Sequence, residues 1–110
     1  MLRLLSVALI AATLFAVAPS DTANAQDRRV YINNRTGQTI MRFYASRTTT
    51  DNWEEDILGE GVLRNGDRVR INIDDGTGAC MFDFRAVLRD GREITRYNIN
   101  VCSTYEYTFR

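Results

Sequence analysis

The side chains that could do chemistry are few and mostly acidic. Asp51, Glu54, Glu55, Asp56 and Glu60 form the one concentration of a single charge in the chain. Carboxylates crowded on one loop are the donors Ca²⁺ takes, since that cation prefers several oxygen ligands. Their spacing does not follow the EF-hand loop, and Arg47 and Arg64 flank the stretch as ion-pair partners. A solvated or salt-bridged loop is therefore expected, with no metal and no cofactor assigned. Asp74 and Asp75 beside Gly76 read as Asx turns. Paired carboxylates also hydrolyse glycosides when one has a raised pKa and the two face each other across a cleft. Nothing in the spacing sets two acids that way, so no catalytic residue is assigned and the chain reads as a non-enzyme.

The composition narrows the field further. All 14 basic residues are arginine, 14 residues are acidic, and His is absent among the 110 residues. Without His or Lys there is no Ser-His-Asp or Cys-His nucleophilic system, no imidazole metal site and no Schiff-base chemistry. The balanced charge, with no basic run, argues against nucleic acid as a partner.

Cys80 and Cys102 lie 22 positions apart. That spacing is unlike CxxC and no other soft ligand accompanies it, so a structural disulfide is expected rather than a redox or metal pair. The reading fits the start of the chain. Arg3 precedes the apolar run Leu4 to Val17, and Ala23-Asn24-Ala25 supplies small residues for cleavage after Ala25. The run is shorter than the ~20 residues a spanning helix needs. Residues 1–25 therefore read as a signal peptide and 26–110 as one domain without a membrane span, periplasmic or secreted. A domain this small gains from a crosslink.

The elements that must position these residues are strands. Alternating segments bounded by Asn, Asp and Gly recur along the chain, which predicts an all-β fold, a small antiparallel sandwich or barrel of about six strands with one long Trp-containing loop. The expected strands are Arg28 to Asn33, Thr39 to Ser46 with Met41, Phe43 and Ala45 sharing a face, one carrying Val69, Ile71 and Ile73, Cys80 to Leu88, Glu93 to Val101 and Thr104 to Phe109. Asp90-Gly91 suits a type I′ hairpin joining the fourth and fifth, because that turn needs positive φ at both residues. In the fifth strand Tyr97, Ile99 and Val101 are in phase and Ile94 is not, which predicts a bulge near Thr95 or Arg96. In the last, Tyr105, Tyr107 and Phe109 are expected to point inward. Between Thr48 and Gly66 the alternation stops. This segment is expected to fold back as a lid over one end or edge of the sheets, with a short helical turn from Asn52 to Leu58, Ile57, Leu58, Val62 and Leu63 against the core, and Trp53 buried among them.

Asn34-x-Thr36-Gly37-x-Thr39-Ile40, Trp53-x-x-Asp56-x-Leu58-Gly59, Cys80-x-Phe82-Asp83-Phe84 and Asn100-Val101-Cys102 together resemble an uncharacterised family of small exported bacterial β-proteins. The resemblance covers nearly all of residues 26–110 and departs at Glu54, where the group usually has Gly. It implies an exported β-domain and carries over no catalytic residue. The same Asn34-Arg35-Thr36 formally matches a glycosylation sequon, which reads as chance. By elimination the expected function is noncatalytic binding of a protein or cell-envelope component, with Trp53, Glu54, Glu55 and Asp56 as the candidate surface. The alternative is a periplasmic inhibitor of a hydrolase such as lysozyme.

Overall fold

A computed structural model describes residues 27–110; the expected leader, residues 1–25, lies outside them. Six strands follow in order: β1 (Arg29–Asn34), β2 (Ile40–Arg47), β3 (Arg68–Asn72), β4 (Met81–Leu88), β5 (Glu93–Asn100) and β6 (Glu106–Phe109). They form two three-stranded sheets, β3-β1-β6 and β2-β4-β5. The pairings are antiparallel except one, since β6 lies parallel to β1 with Ile32 opposite Tyr107. The chain leaves the second sheet after β5 and enters the far edge of the first, so this pair is joined by a crossover rather than a hairpin.

Alternation explains why the sheets face each other. Val30, Ile32 and Ile71 from one and Phe43, Phe82, Phe84, Ala86 and Leu88 from the other form one buried cluster with Phe109. The rings of Phe43 and Phe109 meet at 6.0 Å and those of Phe84 and Tyr107 at 5.6 Å, edge to face across the two layers. Burying each large side chain contributes about 1.5–3 kcal/mol. The sandwich is further tied by Cys80 and Cys102, with Cα atoms 5.3 Å apart, which join the start of β4 to the turn after β5.

Bulges re-aim several side chains. In β2 the pairing with β4 slips between Ile40 and Arg42, so Ile40 and Phe43 are both buried and Met41 leaves the phase expected for it. In β5 the slip falls opposite Phe82 to Phe84, which places the bulge at Tyr97 and Asn98, directly after the expected position near Thr95 or Arg96. Asn98 adopts φ 59° and its N–H donates to Asp83 Oδ1 at 2.9 Å. Tyr97 is consequently 67% exposed, not inward. Tyr105 is also outside, 66% exposed, because the strand begins only at Glu106; Tyr107 and Phe109 keep the inward phase. The β4–β5 hairpin has positive φ at Gly91 alone. Leu88 N–H donates to Arg92 O at 2.8 Å and Gly91 N–H to Leu88 O at 2.9 Å, a three-residue loop in place of type I′. Asp90 favours this loop by accepting from Arg92 N–H at 3.0 Å.

The connection from β2 to β3 contains no helical turn. Glu54 stands at φ 65°, which interrupts a right-handed helix, and Asn52 Oδ1 takes the Glu54 N–H at 3.0 Å in an Asx turn. Leu63 is buried and exchanges both backbone hydrogen bonds with Ile40, at 2.8 and 2.9 Å. Leu58 packs against the core, whereas Ile57 and Val62 are exposed. The segment's apolar contacts with the core are thus made by Leu58 and Leu63.

Candidate functional site

The outer face of the β3-β1-β6 sheet is built by the same alternation that fills the core. With Val30, Ile32 and Ile71 turned inward, Arg29, Tyr31, Asn33, Arg68, Arg70, Glu106 and Thr108 are turned outward. Register sets their neighbours: Tyr31 lies between Arg70 and Glu106, and Asn33 between Arg68 and Thr108. The Arg68 guanidinium sits 3.6 Å above the Tyr31 ring, with Arg70 at 5.5 Å and the Tyr105 ring at 5.3 Å. Such stacking holds a guanidinium in place without neutralising it.

The two ends of this face differ in charge balance. At one end Asp27 serves both Arg29, at 3.0 Å, and Arg70, at 3.4 Å. Hydrogen bonds from the Arg29 N–H and then its side chain hold the Asp27 carboxyl below the usual carboxylate value. At the other end Arg35, Arg68 and Arg110 line a cavity of about 400 Å³ with Asn33, Glu106 and Thr108. Among the described residues none of these three arginines makes an ion pair. Asn33 Nδ2 donates to Glu106 Oε1 at 3.1 Å and to Thr108 Oγ1 at 3.0 Å, which orders the cavity floor.

Asn34 assembles this end. Its side chain is fully buried, and Nδ2 donates to the carbonyls of Gln38 at 2.7 Å and Leu63 at 2.8 Å. Its Oδ1 accepts from Thr36 N–H at 3.0 Å and Thr36 Oγ1 at 2.7 Å. Backbone bonds then join Gly66 N–H to Asn34 O at 2.7 Å and Arg35 N–H to Phe109 O at 2.8 Å, which brings the ends of β1 and β6 to the turn before β3. The Asn-x-Thr-Gly opening is therefore an architectural device, and an amide so buried and engaged is closed to glycosylation.

The surface expected from sequence is divided by the structure. Trp53 is half-buried outside the core, on the outer face of the β2-β4-β5 sheet, 6.5 Å from the Tyr44 ring and 5.6 Å from the Arg85 guanidinium. On either side of it Ser46 Oγ of β2 donates to the Asn52 carbonyl at 2.7 Å and Ile57 N–H donates to Phe43 O at 2.8 Å, so the indole lies on the sheet instead of entering it. Asp56 is structural, since Oδ1 accepts from Phe43 N–H at 2.9 Å and Leu58 N–H at 3.0 Å. Glu54 and Glu55 are exposed and line a second cavity of about 400 Å³ with Asp74 and Asp75, which sequence reasoning treated separately. Burial pushes the Asp75 carboxyl up, but the Thr77 hydroxyl and N–H and the Arg47 charge outweigh it and hold it below its usual value. Among the described residues no three acidic or Cys side chains are placed to hold a metal ion.

The arginine cavity escaped sequence reasoning because its members come from three distant segments and no basic run marks them. The usable signal is the period-two placement of Arg68 and Arg70 opposite Val69 and Ile71. Comparison with family models, with curated proteins and with solved structures finds no match to the chain.

Proposed function

We propose that residues 26–110 form a noncatalytic exported domain that binds a protein or cell-envelope component through the outer face of the β3-β1-β6 sheet. The observation that carries this reading is the convergence of Arg35, Arg68 and Arg110 on one cavity without ion-pair partners among the described residues. Guanidinium groups with free donors recognise carboxylate and phosphate in bidentate geometry, and unpaired ones also steer anionic partners toward the face. The Cys80–Cys102 bond suits an oxidising compartment, and among the described residues no helix is long and apolar enough to cross a membrane. Membership of the resembling family of small exported bacterial β-proteins belongs to the same proposal.

Cosedimentation with cell-envelope fragments at low and raised salt tests it. Wild-type protein is expected in the pellet at low salt, and the Arg35→Ala, Arg68→Ala, Arg110→Ala triple variant in the supernatant. Equal pelleting of the two proteins would overturn the reading.

A second reading, inhibition of a hydrolase such as lysozyme, draws on exposed Glu54 and Glu55 beside Asp74 and Asp75. It requires inhibition of lysozyme by wild-type protein that is lost in Glu54→Gln, Glu55→Gln.

A further inference from the structure

The geometry points to a carboxylated oligosaccharide as the ligand of the arginine cavity, with a uronate carboxylate held by Arg35, Arg68 and Arg110 and ring hydroxyls met by Asn33, Glu106 and Thr108. This inference rests on the reading of the face as the binding surface and names what that surface takes. Its first support is the lining. The residues around the cavity are arginine, Asn, Thr, Glu and one Gly, with no aliphatic or aromatic side chain among them. A peptide side chain of apolar character would find nothing there to bury against, whereas a sugar presents hydroxyls that both donate and accept.

The second support is the charge count. Three guanidinium groups face one carboxylate, Glu106, so the cavity favours an anion but penalises dense negative charge. A nucleic acid would bring phosphates against Glu106 at each repeat. A uronate brings a single carboxylate per ring, and the hydroxyls beside it can donate to Glu106 Oε atoms. The third support lies along the same face, where Tyr105 is 66% exposed immediately before Glu106 and its ring is supported by Tyr31 at 5.3 Å. An exposed ring backed by a second ring offers a neighbouring sugar a flat apolar surface at low ordering cost. A cavity of about 400 Å³ lies within the ~300–1,000 Å³ range of small-ligand sites.

Titration calorimetry with defined oligomers of galacturonate, mannuronate and glucuronate tests the inference. Wild-type protein is expected to bind at least one of them, with affinity falling at least about tenfold for its methyl ester and for Arg68→Ala or the Arg35→Ala, Arg110→Ala pair, since a charge-assisted contact is worth about a factor of ten or more. Tyr105→Ala should weaken binding less, and Arg89→Ala, an exposed arginine on the β4–β5 loop, should leave it unchanged. Absence of binding to all three acids, equal binding of the ester, equal loss in Arg89→Ala, or tighter binding of a single-stranded oligonucleotide would overturn it. If the acids fail while envelope material is still retained through Arg35, Arg68 and Arg110, the saccharide falls and the binding face stands.

Discussion

Asn34 holds Leu63 in place: its Nδ2 donates to the Leu63 carbonyl at 2.8 Å from a side chain with no exposed surface. Through that bond the first strand fixes the far end of the β2–β3 connection, and with it the turn that carries Arg64 to Gly66 beside the arginine cavity.

Asn34→Ala should therefore cost roughly 2–3 kcal/mol, because it removes one of two hydrogen bonds from each of the Gln38 and Leu63 carbonyls and leaves the Thr36 N–H without its acceptor beside a buried site. The urea midpoint measures this. A loss under about 1 kcal/mol would show that water replaces the amide.

Glu54→Gly should stabilise the domain by about 0.5–1 kcal/mol. An L residue at φ 65° costs about 1–2 kcal/mol relative to glycine, and the greater freedom of unfolded glycine returns part of that gain. Unchanged or lower stability would show that Glu54 is held by more than its backbone.

The strands, the core phase of β1, β3 and β4, and the disulfide pairing were legible because each follows from a local pattern: Val30 with Ile32, Phe82 with Phe84, two cysteines with no other soft ligand beside them. What was not legible depends on bulges and crossovers. Tyr97 and Met41 lose their expected phase to one extra residue in a ladder, and Tyr105 to a strand that starts two positions late. The arginine cavity needs β6 to lie parallel to β1, a pairing no short-range spacing encodes. Conversely, Asp56 was expected on the candidate binding surface and serves the backbone of Phe43 and Leu58.

Trp53→Ala should cost only about 1–2 kcal/mol, less than the ~3–5 kcal/mol of a core aromatic, since the indole packs on Tyr44 and Arg85 outside the main cluster. Native emission should lie between that of a buried and an exposed indole and be partly quenched by iodide. Fully blue, unquenched emission would contradict this placement.

Reduction of Cys80–Cys102 should cost on the order of 2–5 kcal/mol, as for native crosslinks in small secreted domains. Equal urea midpoints with and without reductant would contradict the role assigned to it.

Asp90 should titrate at about 2 in the folded protein, below the usual 3.8, because the Gln38 side chain and then the Arg92 N–H donate to its carboxylate. A depressed folded pKa means the carboxylate supports folding above 3.8 and that support is lost as pH falls from there toward 2. NMR titration of the Asp90 carboxyl carbon checks the value. The stability difference between wild type and Asp90→Asn should shrink across that window; a constant difference would contradict the assignment.

The arginine end of the β3-β1-β6 face, and not the Trp53 loop, is the proposed binding surface. Cosedimentation of cell-envelope fragments with Arg68→Glu and, in parallel, with Glu54→Gln, Glu55→Gln tests it most directly. Arg68→Glu is expected to remain folded by circular dichroism but to leave the pellet, while the loop variant pellets like wild type. Retention of Arg68→Glu together with loss of the loop variant would contradict it.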